Sequence, residues 1–213
     1  IFCHLGQICV AGSRLLVHES QHDELLERII AKAQSLKQGD PTDPEMHLGC
    51  LATPTHCDFV RSRVEQAKQE GARLVLSGDI SDDPLDCFYP PTIFDQVSPD
   101  MAVAKEEVFG PVLSVMTFKT EEEAIRIAND SDFGLMANIW STDGTRALRV
   151  ARELQAGRIS INGGGYLRPN VPIYGYKKSG FGAELGFIEA AHEFCNSKSV
   201  IYSLATEKSP WPE

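Results

Sequence analysis

No stretch of this sequence approaches the ~20 consecutive apolar residues that a membrane-spanning helix needs. Nor does a basic region lead into an apolar one near the N-terminus, as it would in a secretory leader. Lysine and arginine never gather into a run, and 20 of them stand against 30 acidic residues for a net charge of −10. A surface of that sign repels nucleic acid and anionic membranes, so neither is expected as a partner. The cysteines (Cys3, Cys9, Cys50, Cys57, Cys87, Cys195) include no Cys-x-x-Cys pair. Spread this widely, they read as reduced thiols of a reducing compartment, which points to a cytoplasmic protein. His56-Cys57 is the one adjacent His/Cys pair, and two adjacent residues do not build a tetrahedron, so no metal site is expected. Repeats and low-complexity tracts are missing too. There is also no initiator methionine: the chain opens Ile-Phe-Cys, directly into structured-looking sequence, and reads as a piece of something longer.

What is present is an ordinary globular composition, 42% apolar and 23% charged over 213 residues, enough for one sizeable α/β domain or two small ones. Strand and helix patterns alternate. A β-type run over 13–20 precedes a helix whose apolar residues Leu25, Leu26, Ile29, Ile30, Ala33 and Leu36 recur at helical spacing, with Gly39-Asp40-Pro41 as its stop. The next helix takes Thr55 as its N-cap, turns Phe59, Val60, Val64 and Ala67 inward and closes at Gly71 before the strand "ARLVLSG". Strands follow at 90–97 and 110–118, and Thr120 with Glu123 forms a capping box for a helix over 121–130. "LMANIWS" and "RISIN" are strands around a helix that ends at Gly157. This alternation predicts an α/β fold, a mostly parallel twisted sheet flanked by helices. A last strand pattern, "SKSVIYSLAT" (197–206), has no helix after it and could pair in its own sheet or reach a partner subunit.

The stretch "FCHLGQICVAGSR" (2–14) raises a chemical question. A cysteine is a useful nucleophile only as thiolate, which needs a cation, a helix N-terminus or a base beside it. Cys9 lies among small residues that would let a substrate approach the backbone closely. A helix starting there would supply free N–H groups for the thiolate and for a developing oxyanion. On local chemistry alone, a small core cysteine among Ile8, Val10 and Ala11 is the plainer reading.

Five ordered motifs change that balance. "GQICVAGSR" resembles the cysteine signature of the aldehyde dehydrogenase superfamily, and "KEEVFGPVLSV" (105–115) its Glu-x-Phe-Gly-Pro cofactor motif. "ANDSDFGLMANIWSTD", "LQAGRISIN" and "GYKKSGFGAELG" are similar to the family's later segments, in the same order and spacing. The resemblance covers essentially all of residues 2–205.

It implies that Cys9 attacks an aldehyde carbon, forming a thiohemiacetal whose oxyanion is held by the Cys9 backbone N–H and an Asn side chain. Hydride then passes to a nicotinamide, NAD or NADP, and water activated by a Glu hydrolyses the thioester to a carboxylic acid. Glu107 corresponds to the carboxylate that accepts from the nicotinamide ribose hydroxyls, and Phe109 to the aromatic beside the nicotinamide. Gly6, Gln7 and Asn162 correspond to residues that order the catalytic loop, while Lys177, Ser179 and Gly180 fall in a scaffold segment. The loop 163–173 corresponds to the substrate entrance, where Gly165, Leu167 and Ile173, with Ile8, suggest a mobile apolar mouth. His4, Leu5, Tyr174-Gly175 and Ala183 depart from the usual pattern and bear on loop packing and substrate preference.

The implied organisation is a cysteine-bearing catalytic domain over 1–196 and a C-terminal oligomerisation strand and tail over 197–213, with the dinucleotide-binding domain absent. The oxyanion Asn and the base Glu would precede residue 1, so these 213 residues alone are expected neither to bind cofactor tightly nor to turn over. The expected partners are an aldehyde substrate and further copies of the chain, as a homo-oligomer (dimer or tetramer). Two other readings stay open: a relative that forms acyl-CoA with the same cysteine, and a non-catalytic structural or binding protein on the same scaffold.

Overall fold

The computed structural model describes residues 1–80, 86–164 and 168–202. In chain order the elements are β1 (Arg14–His18), α1 (His22–Gln34), α2 (Pro54–Gln69), β2 (Arg73–Leu76), β3 (Thr92–Asp95), α3 (Ala102–Lys105) and β4 (Val112–Phe118). They continue as α4 (Glu121–Asn129), β5 (Phe133–Gly134), β6 (Met136–Ile139), α5 (Gly144–Glu153) and β7 (Arg158–Ile161). The last are β8 (Ile173–Tyr174), β9 (Tyr176–Lys177), β10 (Ala183–Glu184) and α6 (Phe187–Glu193).

The main sheet has the order β1-β4-β3-β2, parallel except for the antiparallel edge strand β2. Strand β4 sits inside it and is buried on both faces, which is why residues 112–116 read as a near-continuous apolar run. Successive side chains point to opposite faces. Val112 and Met116 therefore pack with Phe94 of β3 against Val60, Val64 and Ala67 of α2. Leu113 and Val115 pack with Ile93 and Val17 against Leu26 and Ala33 of α1. Burying each larger side chain contributes roughly 1.5–3 kcal/mol, so the two helices clamp the sheet from either side.

One buried position in this core is ionic. Asp95, at the end of β3 and on the α1 face, has almost no exposed surface. It accepts from His22 Nε2 at 2.8 Å and from Arg73 on β2. Burial disfavours the carboxylate, but these bonds and one from the Gln96 N–H outweigh it and hold the Asp95 carboxyl below its ordinary range. The same bond to Asp95, with a second to Asp23, raises the His22 pKa.

The second half is built differently. Strands β6 and β7 pair in parallel around the crossover helix α5, and Glu121 of α4 takes a bidentate grip from Arg149 of α5 at 2.6 and 2.8 Å. Strands β5 with β9 and β8 with β10 form two-residue antiparallel ladders. Glycines let the backbones meet. A Cβ on Gly157 would lie 2.6 Å from the carbonyl carbon of Tyr174, and one on Gly175 would lie 2.5 Å from the Ser179 carbonyl oxygen.

The α/β architecture with its mostly parallel sheet is as the sequence suggested, but several boundaries differ. Helix α1 stops at Gln34, ahead of the glycine-proline signal: the Ser35 hydroxyl donates to the Lys32 carbonyl at 2.7 Å, and Gly39 turns to bond the Leu48 carbonyl. The cap of α2 is Thr53, not Thr55. Its backbone is extended, its side chain accepts from the His56 N–H, and Pro54 takes the first helical position, where its missing N–H costs nothing. Helix α5 ends at Glu153, not at Gly157, because that glycine is needed for the approach to Tyr174. The Thr120 cap is present, bonded by the Glu123 N–H at 3.2 Å, while the Glu123 carboxylate reaches back to the Lys119 N–H at 2.8 Å. Residues 197–202 carry no strand in this single chain, since a strand needs a ladder partner; 203–206 lie outside the described residues.

Candidate functional site

The residues before Cys9 take an uncommon path. His4, Leu5 and Gly6 have φ values of +50, +56 and +70, three successive left-handed residues. For the two non-glycines this costs on the order of 1–3 kcal/mol each and persists only where packing enforces it. Here the enforcement is visible. Leu5 is buried in the same core cluster as Val108, and a Cβ on Gly6 would lie 2.7 Å from the Gly110 carbonyl carbon. Only glycine fits, so the cysteine loop is pressed against the segment 107–110.

Gln7 fixes the other side. Its Oε1 accepts from the Ala52 N–H at 2.9 Å, and its Nε2 donates to the carbonyls of His4 and Cys50 at 3.3 and 3.4 Å. Cys9 follows in a single turn closed by the Ala11 N–H on the Ile8 carbonyl at 2.9 Å, and its thiol is exposed. No helix begins there, because β1 starts at Arg14 on the far side of a glycine; any donors for an oxyanion at Cys9 must be turn N–H groups or side chains. An exposed thiol also departs from the core-cysteine reading.

Across the loop, Glu107 and Phe109 are exposed and Val108 between them is buried, so the two project outward on either side of an anchored residue. Phe109 has φ +54 and is 37% exposed as a residue, and its carbonyl accepts from His56 Nε2 at 2.8 Å. A carboxylate that can accept two hydroxyl hydrogen bonds, two residues from an open aromatic face, fits a riboside bearing a planar ring. Below them Gly110 rests on Val60, whose methyl a Cβ would meet at 2.8 Å.

Asn162, φ +50, clasps the end of β6: its Oδ1 accepts from the Ser141 N–H at 2.9 Å and its Nδ2 donates to the Ser141 carbonyl at 2.8 Å. Both functions of its amide are thereby engaged in the scaffold. Ile173 is buried in β8, paired opposite Glu184. Ile8 is half-buried next to Cys9. Gly165 and Leu167 lie outside the described residues. Lys177 donates to the carbonyls of Asn129 and Ser131 at 2.7 and 2.8 Å, and the Ser179 hydroxyl accepts from the Gly134 N–H at 3.0 Å, tying β9 to the end of α4. Sequence reasoning missed His56. It stands 53 positions before Phe109, and no local pattern marks their contact.

The contact between the cysteine loop and the Glu-x-Phe-Gly-Pro turn, made through Gly6 and Gly110, is the arrangement that comparison with known proteins bears on. The model of the aldehyde dehydrogenase family matches residues 1–200. The chain belongs to that family. It is 40% identical over 210 residues to a betaine aldehyde dehydrogenase of Cereibacter sphaeroides, covering 99% of this chain and 43% of that protein. A succinate-semialdehyde dehydrogenase [NADP(+)] of Mycobacterium bovis is 41% identical over 195 residues, covering 92% and 42%. Among solved structures, an NAD-dependent aldehyde dehydrogenase from Sinorhizobium meliloti superposes with a TM-score of 0.91 at 41% identity, covering 98% of this chain and 41% of that one. A betaine aldehyde dehydrogenase from Staphylococcus aureus in complex with NAD+ gives 0.92 at 36% identity, covering 99% and 42%. The chain thus spans less than half the length of these aldehyde dehydrogenase relatives.

Proposed function

We propose that the protein oxidises an aldehyde to a carboxylic acid with a nicotinamide cofactor, NAD or NADP, and that Cys9 is its nucleophile. The observation that carries this reading is the contact of Gly6 with Gly110, which sets the exposed Cys9 loop against the outward-facing Glu107 and Phe109. Cys9 adds through its thiolate to the aldehyde carbon, and its sulfur carries the acyl group until water releases the acid. The Cys9 N–H, in a turn, is one donor for the oxyanion of that adduct. Glu107 accepts from the ribose hydroxyls, and the open ring of Phe109 packs beside the nicotinamide and limits water there. When bound, the nicotinamide supplies the hydride acceptor. Ile8, beside Cys9, borders the aldehyde's approach.

The activity belongs to the whole protein, of which relatives of this family show more than twice this length. A homo-oligomer is part of the same reading. Val200, Ile201 and Tyr202 are 80–90% exposed and follow a strand pattern that a second copy of the chain can complete. The experiment follows nicotinamide reduction by the whole protein with short, long and aromatic aldehydes, beside Cys9→Ser. Loss of turnover by about a thousandfold or more in the variant supports the assignment. Oxidation that persists in Cys9→Ser overturns it.

A further inference from the structure

We infer that His56 is a positioning residue for the turn that presents Glu107 and Phe109, acting from the first turn of α2. The inference rests on the proposed function, in which those two residues meet the cofactor. Phe109 holds a left-handed backbone without being glycine, so its conformation must be imposed by its surroundings. His56 Nε2 donates to the Phe109 carbonyl at 2.8 Å, and the two rings meet edge to face at 6.5 Å. A carbonyl only accepts, so the proton on Nε2 is required.

The histidine is itself held. Its backbone N–H bonds the Thr53 cap at 3.2 Å, and its ring stacks on Phe59 at 6.1 Å. Arg63 lies over the same Phe59 ring at 4.9 Å and pairs with Glu106 at 3.1 Å. Residues 56, 59 and 63 form one stripe of α2, at i, i+3 and i+7. That stripe grips the turn at both ends, Glu106 through Arg63 and Phe109 through His56. Gly110 beneath rests on Val60 of the same helix. Glu107 and Phe109 are thereby offered on a turn whose backbone is fixed before any cofactor arrives, so less ordering remains for binding.

The test uses the whole protein, with cofactor dissociation constants, aldehyde KM, melting temperature, and amide exchange of residues 104–112 in the cofactor-free state. His56→Phe keeps the ring and its stack but removes the donor. It is expected to raise the cofactor Kd roughly three- to tenfold and to speed exchange at 104–112 by a similar factor, with aldehyde KM within about twofold. His56→Gln, which restores a donor, is expected to return most of both. A His56→Phe protein with unchanged Kd and unchanged exchange overturns the inference. Should that variant not fold, Arg63→Met releases the other end of the grip: faster exchange at 104–112 supports the inference and unchanged exchange overturns it. Glu107→Ala and Phe109→Ala separate the two readings. If neither weakens cofactor binding, the functional reading fails; if they do and His56→Phe does not, only the positioning role fails.

Discussion

Residues 14–118 and residues 133–202 hold themselves together by different means. The first region buries side chains on both faces of a four-stranded sheet, and nearly all of the fully buried large residues belong to it. The second has two- and four-residue strands, a handful of buried residues, and leaves Trp140, Phe181, Phe187 and Phe194 largely exposed. Its chain segments meet through glycines, backbone against backbone. A side-chain core tolerates small adjustments spread over many neighbours, whereas a glycine contact is a single point with no slack.

Four outcomes would sharpen or break that contrast. Phe94→Ala, which empties the α2 face of the sheet, is expected to cost about 3–5 kcal/mol of global stability in denaturant unfolding. A loss below about 1 kcal/mol would mean that the first core is not the main source of stability. Gly157→Ala comes next, at roughly 2–4 kcal/mol, and its effect should be local: faster amide exchange over 173–184 with β1–β4 unchanged. Uniform loosening of the main sheet would show the two regions to be one cooperative unit.

His22→Gln tests the ionic position in the first core, at about 2 kcal/mol near pH 5–6. The sign follows from both partners. The raised His22 pKa gives stability that is complete below the ordinary histidine value and is lost as pH rises through the raised one. The depressed Asp95 pKa gives stability present above the ordinary aspartate value and lost as pH falls through the lowered one. The gap between wild type and variant is therefore widest between those limits and narrows on the alkaline side. A gap that grows with pH above 7 would contradict the assignment. The smallest effect is Thr53→Ala, about 1 kcal/mol, read as a shift in the unfolding midpoint. It should also loosen His56, whose N–H the cap holds.

Legibility followed the same division. In the first region the alternating and continuous apolar runs announced β1, β3 and β4, and the 3.6-residue spacing announced α1 and α2, because burial on a defined face is what writes such patterns. In the second, β5, β8, β9 and β10 are two residues long and carry no period at all. The glycines were visible, but which backbone each one faces was not. At the candidate site, Cys9, Glu107 and Phe109 stood out by resemblance to a family, whereas His4 and Leu5, which open the left-handed run ending at Gly6, looked only like departures from its motif. Where a helix start would have served Cys9 the chain makes a turn, since local chemistry says which donors are useful but not where they are.

Composition and motif order were sufficient for the α/β class and the family, and for singling out Cys9 as the proposed nucleophile, because these depend on residue types and on periods within a segment. The meeting of Gly6 with Gly110, the grip of His56 and Arg63 on residues 106–109, and the burial of Asp95 between His22 and Arg73 depend on segments 22–104 positions apart. Contacts over such separations are created by the way the sheet and its two helices close on one another, and a one-dimensional pattern holds no record of them.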